Sequence, residues 1–154
     1  MPEYAEDFVD KAQQDDDPIE GIVRAPLPNS IDEALEFARR QWKNSTVGWE
    51  GHCQKFVRSC YGVPAWASSA KLAWDKIPAE HKFTVPFEEI PRGAAIYFTM
   101  GEFGHVMIAG YQDAFSNDYK RHDRIDPVPR DIPLWHGKNS YVGYSFWTPW
   151  GVVK

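Results

Sequence analysis

The feature that most restricts the fold is an apolar stripe within residues 48–62, whose sequence is GWEGHCQKFVRSCYG. One face of a helix would carry its apolar members, which follow helical spacing: Cys53, Phe56, Val57 and Cys60. Seven residues of α-helix rise about 10 Å, whereas the Cα atoms of a disulfide lie within about 7 Å of each other. The only two cysteines of the chain therefore cannot bond to each other. A chain of 154 residues is long enough to be stabilised by one hydrophobic core instead.

Helical patterns fill the first half of the sequence. Ser30 and Glu33 form the S-x-x-E pattern of a capping box, which predicts a helix over residues 31–43. The cysteine-bearing helix begins near Gly51 and ends at 61–62. A third helix is predicted over residues 67–77, because Pro78 stops it.

The second half of the sequence has the patterns of strands. Five short runs rich in β-formers follow one another over residues 93–100, 104–111, 114–118, 124–129 and 141–147. Two prolines, Pro127 and Pro129, make the fourth run an edge strand. Helices followed by meandering strands predict an α+β domain, with N-terminal helices packed on an antiparallel sheet of about five strands.

Charge divides the chain into an acidic tail and a nearly neutral body. Residues 1–20 carry eight Asp or Glu side chains and one Lys, a local charge of −7, whereas the remaining residues sum to +2. We therefore separate an acidic tail and linker over 1–29 from a domain over 30–154. The weak charge of the body argues against nucleic-acid binding, which needs a strong basic patch.

The hydropathy pattern argues against two further classes, membrane-spanning proteins and proteins with a secretory signal. No apolar run approaches the roughly 20 residues of a membrane-spanning helix. The acidic N-terminal segment lacks the basic and apolar parts of a secretory signal. We expect a protein that has no membrane span and is made in the cytoplasm without a signal peptide.

Cys53 is the candidate nucleophile. It lies in the first turn of its predicted helix, where unpaired backbone N–H groups and the helix dipole favour a thiolate. Cys60 lies in the middle of the stripe, and we expect it to pack in the core as a small apolar residue. Since the sequence has no C-x-x-C and no H-x-x-x-H pair, we predict no metal site and no cofactor.

His105 is the candidate general base. It opens the strand GHVMIAGY directly after Gly104, where a substrate would have open access. On position alone, a histidine that only caps the hairpin fits the sequence equally well. The next strand contains Ser116, Asn117 and Asp118, and a polar residue there could orient the imidazole. Asp118 would also stabilise the imidazolium, whereas Asn117 would orient the ring without charge. The choice between Asp118 and Asn117 stays open, because the start of the strand is not fixed by the sequence.

A resemblance to a known group rests on blocks that cover most of residues 30–151. In order they read GWEGHCQKFVRSCYGVP, SAKLAW, IPRGAAIYF, FGHVMIAG, FSNDYKRHDRIDPVPRDI and YVGYSFWTPWG. The chain resembles the papain-like cell-wall hydrolases of the NlpC-like and CHAP (cysteine, histidine-dependent amidohydrolase/peptidase) families. More narrowly, it is similar to the lysins of phages that infect actinobacteria.

The resemblance implies a papain-like fold and a thiol mechanism. Cys53 would be the nucleophile and His105 the base, followed by Asp118 or Asn117. The implied substrate is a peptidoglycan amide in the stem peptide, in a cross-bridge or between sugar and peptide. We expect a monomer that acts at the bacterial cell wall. Trp49 and Trp66 flank the nucleophile helix and are expected either to line the substrate groove or to pack in the core.

Two other functions fit the same sequence. A papain-like protease or amidase would keep the same catalytic residues but act on proteins or small amides. A non-catalytic module, such as a structural or binding part of a phage particle, would keep the fold alone.

Overall fold

The computed structural model describes residues 27–99, 101–136 and 140–154. The predicted acidic tail lies outside the described residues except for its last three positions. Four α-helices are present in the described part of the chain: α1 (Ile31–Lys43), α2 (Cys53–Tyr61), α3 (Ala70–Lys76) and α4 (Ile132–Trp135). Two 3₁₀ turns, Ala79–His81 and Phe87–Glu89, connect α3 to the sheet.

The ends of the helices follow from local hydrogen bonds. The predicted capping box at α1 is confirmed, since Ser30 accepts from the Glu33 amide and the Glu33 carboxylate accepts from the Ser30 amide. α2 ends at Gly62, which has φ +70°. α3 begins at Ala70 rather than at residue 67, because Ser69 caps it by accepting from the amide of Leu72 at 3.1 Å.

The strands form one main antiparallel sheet. Its members are β1 (Ala95–Thr99), β2 (His105–Ala109), β3 (Ala114–Asn117), β4 (Ile125–Val128) and β5 (Ser140–Ser145), in the spatial order β4-β3-β2-β1-β5. The edge position predicted for the proline-containing strand β4 is confirmed. The predicted last strand is interrupted after β5, and β6 (Trp147–Thr148) pairs with β7 (Gly151–Val152) in a separate ribbon. The α+β class and the five-stranded antiparallel sheet are therefore confirmed.

The sheet separates two buried cores. Its helix face packs against α1, α2 and α3 and carries the side chains of Tyr97, Val106 and Ile108. Its far face carries those of Ile96, Phe98 and Met107, which pack with residues that precede β1 and follow β4. Cys53 and Cys60 do not form a disulfide, as predicted, and both are buried on the helix face.

A buried arginine joins the far side of the sheet to its turns. The guanidinium of Arg130 donates five hydrogen bonds to backbone carbonyl oxygens, those of Phe87, Ile90, Gly110, Tyr111 and Asp113, over 2.6–3.2 Å. Only 5% of the residue is exposed, and burial lowers the pKa of its guanidinium. These five bonds use every N–H donor of the side chain and fix the β2–β3 turn against the segment before β1.

We expect Arg130→Lys to lower the free energy of unfolding by about 2–4 kcal/mol, because an ammonium offers only three donors and leaves buried carbonyl groups unpaired. Urea unfolding at pH 7 measures the change. Arg39→Lys, on the exposed surface of α1, is the matched control and should change stability by no more than about 0.5 kcal/mol. Equal stabilities of the two variants would contradict this role of Arg130.

Candidate functional site

Four of the sequence-predicted site residues lie on elements that meet at one end of the main sheet. Cys53 begins α2, His105 begins β2, Asn117 ends β3 and Asp118 follows it. Two hydrogen bonds connect these elements. The Gly51 amide donates to Asp118 Oδ2 at 3.1 Å, and Asn117 Nδ2 donates to the Trp49 carbonyl at 2.7 Å. The start of α2 is therefore tied directly to the end of β3.

Cys53 lies at the N-terminus of α2, with His52 at the N-cap position. Its side chain is fully buried in the helix-side core, close to Tyr97. Burial is the main reason that the pKa of Tyr97 is raised, and the neighbouring Cys53 raises it further. Cys60, one residue before the end of the same helix, is a core thiol whose pKa is raised well above its usual value by burial.

The imidazole of His105 is also fully buried, on the other side of the sheet. Its Nε2 lies 2.9 Å from the Ser116 hydroxyl oxygen, and its ring makes an edge contact with Tyr119 at a centroid distance of 5.3 Å. Alternation along β2 places His105 on the same face as Met107, whereas Val106 faces the helices. Burial lowers the pKa of His105 to about 3, so the ring is neutral near pH 7.

The described contacts thus place the Cys53 thiol on the helix face and the His105 imidazole on the far face. The two predicted residues share one end of the sheet, but the contact between sulfur and imidazole that catalysis needs stays a prediction. Gly104, which precedes His105, has φ +72° and lies at the turn where β2 begins.

Ser116 is the residue of the FSND segment that lies against the imidazole in the described contacts. Its register puts it opposite Met107 and therefore on the same face as His105. Sequence reasoning preferred Asp118 or Asn117, because the register of β3 on β2 was unknown. Neighbouring strand residues point to opposite faces of the sheet, so Asn117 faces away from Ser116. The pairing of β3 with β2 decides which of the two lies on the face of His105.

Asn117 instead holds the segment before the nucleophile. Its Nδ2 donates to the Trp49 carbonyl and to Asp118 Oδ2, at 2.7 and 3.2 Å. These two acceptors fix the orientation of the amide. Asn117 is fully buried, and its Oδ1 has no hydrogen-bond partner among the described residues. The amide oxygen of Asn117 is therefore a hydrogen-bond acceptor held in a fixed orientation near the start of α2.

Asp118 is fully buried by residue exposure. Its carboxylate accepts from the amides of Gly51 and Asp123 at 3.1 and 2.6 Å. Burial raises the pKa of this carboxyl to about 6, although both amides and the nearby His122 lower it. In the described contacts the Asp118 carboxylate therefore binds the backbone two residues before Cys53.

The two flanking tryptophans pack at the margin of the helix-side core. Trp49 makes an edge contact with Phe56, and Trp66 makes one with Trp147, each at a centroid distance of 5.5 Å. The Nε1 atom of Trp49 is buried and has no hydrogen-bond partner in the described part of the chain. Core packing is thus observed for both, and a role in substrate binding stays a prediction.

Residues 27–99, 101–136 and 140–154 contain neither a metal-binding cluster of side chains nor a membrane-spanning helix. No group of three His, Cys, Asp or Glu side chains among them is arranged to hold a metal ion. None of the helices described there combines the length and the apolar character needed to cross a membrane.

Comparisons of the chain with family models, with curated proteins and with solved structures found no match.

The buried titratable groups predict a specific dependence of stability on pH. The pKa of His105 is lowered, so its contribution to stability is present above the unfolded value of about 6.5 and is lost as the pH falls. The pKa of Asp118 is raised, so the folded protein takes up this proton first, and stability rises as the pH falls from about 6 toward 4. The two effects oppose each other in this range.

We therefore expect Asp118→Asn to lose more stability than the wild type between pH 6.5 and pH 4.5, because the compensating proton uptake is gone. Urea unfolding across this range measures the two slopes. Asp75→Asn, at an exposed position of α3, should give a curve parallel to that of the wild type. Parallel curves for Asp118→Asn as well would show that its carboxyl titrates normally.

Proposed function

We propose that the chain is a papain-like, cysteine-dependent peptidoglycan hydrolase. It would cleave an amide bond in the stem peptide, in a cross-bridge or between sugar and peptide. The observation that carries this proposal is the bond between the Gly51 amide and Asp118 Oδ2. That bond joins the segment before the helix-starting Cys53 to the end of β3, the strand next to the one that His105 begins, and this proximity of the elements supports the proposal.

The proposed reaction begins with attack of the Cys53 sulfur on the amide carbonyl carbon. The proton of the thiol passes to His105, and the carbonyl oxygen becomes an oxyanion that the Cys53 backbone N–H stabilises. His105 then protonates the leaving amine as the carbon–nitrogen bond breaks, which leaves a thioester. Water hydrolyses the thioester and returns the thiol.

This scheme requires the imidazole to reach the thiol. In the described contacts the ring lies against Ser116 and Tyr119 on the far face. The working state therefore requires a rearrangement at the turn before β2 that brings the ring of His105 to the helix face. There the neighbouring thiolate would stabilise the imidazolium, whereas burial on the far face lowers the pKa of His105.

A non-catalytic binding or structural module is the second candidate. The complete burial of Cys53 and the far-face position of His105 favour it. In such a module both side chains would have structural roles, and the thiol would have no enhanced reactivity at neutral pH.

The first test is digestion of purified actinobacterial peptidoglycan, with new amino and carboxyl ends identified by mass spectrometry. We expect new ends from the wild type, none from Cys53→Ala, and wild-type products from the matched control Cys60→Ala, since Cys60 packs in the core. Ends produced equally by Cys53→Ala would overturn the thiol mechanism. Cleavage of casein or small amides without cleavage of peptidoglycan would instead indicate a protease or amidase whose substrate is not a component of the cell wall.

The second test measures thiol reactivity without a substrate. In a Cys60→Ala background, Cys53 should react with iodoacetamide at neutral pH. His105→Ala should slow this alkylation at pH 7 by about tenfold or more, because the thiol then lacks the imidazole that takes up its proton in the working state. Slow alkylation before and after His105→Ala would support the non-catalytic module.

A further inference from the structure

Two aspartates of the β3–β4 loop hold the turn that leads into α2. We infer that Asp123, together with Asp118, is a positioning residue that fixes residues 48–51 and thereby the first turn of α2 and the Cys53 thiol. We call this pair the carboxylate clasp. The effect of this pair on catalysis rests on the proposed function. Its effect on the position and reactivity of Cys53 does not.

Asp123 binds three successive amides of the turn. Its Oδ2 accepts from the Gly48 amide at 2.9 Å, and its Oδ1 accepts from the Glu50 amide at 2.8 Å. Its backbone carbonyl accepts from the amide of Trp49, which lies between them, at 3.3 Å. One residue far away in sequence therefore fixes the backbone of this turn at three points.

Asp118 completes the clasp. One of its oxygens accepts from the Gly51 amide, and the other accepts from the amide of Asp123 at 2.6 Å. All four amides of residues 48–51 are thus bound by two residues, and the two residues are bound to each other. His52 and Cys53 follow at once, so the clasp ends where α2 begins.

The backbone of both aspartates supports a dedicated arrangement. Asp118 has φ +68° and Asp123 has φ +69°, in the left-handed region, which Asp adopts more readily than most other residues with side chains. Such conformations persist where surrounding contacts enforce them. Here those contacts are the hydrogen bonds to the turn and the hydrogen bond that the Asp123 amide donates to Asp118 Oδ1.

Charge favours the clasp near neutral pH. Burial raises the pKa of Asp123, but hydrogen bonds from the amides of Glu50 and Gly48 outweigh it and hold the pKa below the usual value. The titratable side chains of His122 and Glu50 lie beside the clasp, 3.1 Å apart on its exposed side. An ionised carboxylate accepting backbone N–H bonds is among the stronger hydrogen-bond arrangements in proteins.

The rest of α2 is anchored without the clasp. Its apolar stripe packs on the sheet, and at its far end the Tyr61 hydroxyl donates to the Gly93 carbonyl at 2.7 Å. Asn29 Nδ2 donates to the Cys60 carbonyl at 3.0 Å. Loss of Asp123 should therefore leave the helix folded and release only its first turn, which distinguishes positioning from general stability.

The test uses the full chain in the Cys60→Ala background, with Asp123→Ala, the isosteric Asp123→Asn and the exposed control Asp75→Asn. The first measurement is the pH at which Cys53 alkylation by iodoacetamide reaches half its maximal rate. The second is amide hydrogen exchange over residues 48–53. For Asp123→Ala we expect a midpoint at higher pH and exchange at least about tenfold faster over the turn.

Asp123→Asn should lie between the wild type and Asp123→Ala, because one oxygen can still accept a turn amide, and Asp75→Asn should match the wild type. An unchanged alkylation midpoint and unchanged exchange in Asp123→Ala would overturn the inference. Failure of the wild type to cleave peptidoglycan, with the midpoint still shifted by Asp123→Ala, would reject the proposed function and leave the clasp standing. Should the alanine variant not fold, the asparagine variant decides by the same two measurements.

Discussion

The packing of α2 on the helix face of the sheet is the contact on which the rest of the structure depends. Cys53, Phe56 and Cys60 are completely buried there against the central strands. Burial of the Phe56 side chain alone contributes about 1.5–3 kcal/mol. The contact between α2 and the sheet is therefore a principal source of stability in a chain whose two cysteines are free. The same contact between α2 and the sheet positions the candidate site, because α2 starts where β2 begins and β3 ends.

Most of the elements and the α+β class could be predicted from the sequence, whereas α4 and the β6–β7 ribbon could not. The capping box at Ser30, the stripe through Cys53 and Cys60, and the prolines of β4 each act through local physics, and the structure agrees with all of them. The start of α3 was predicted too early, because the three residues before it match a helical pattern, but Ser69 caps the backbone only at Ala70. Local competition between a cap and a helical turn decides such boundaries.

The side-chain geometry of the site was not available from the sequence. A shift of one residue in the pairing of β3 with β2 exchanges Ser116 and Asn117 between the two faces, and no local pattern fixes that register. Asp123 was missed for a related reason. Its partners, Gly48 and Glu50, lie more than seventy residues away in the chain, and only the tertiary fold brings them together.

The five bonds of Arg130 have a consequence for the order of folding. The guanidinium loses its water only when the β2–β3 turn and the segment from Phe87 to Ile90 are both in place. Until then hydration competes with every one of these carbonyl groups, so we expect the five bonds to form late in folding. Contacts that form after the transition state mainly slow unfolding, and Arg130 would in that case lengthen the lifetime of the native state.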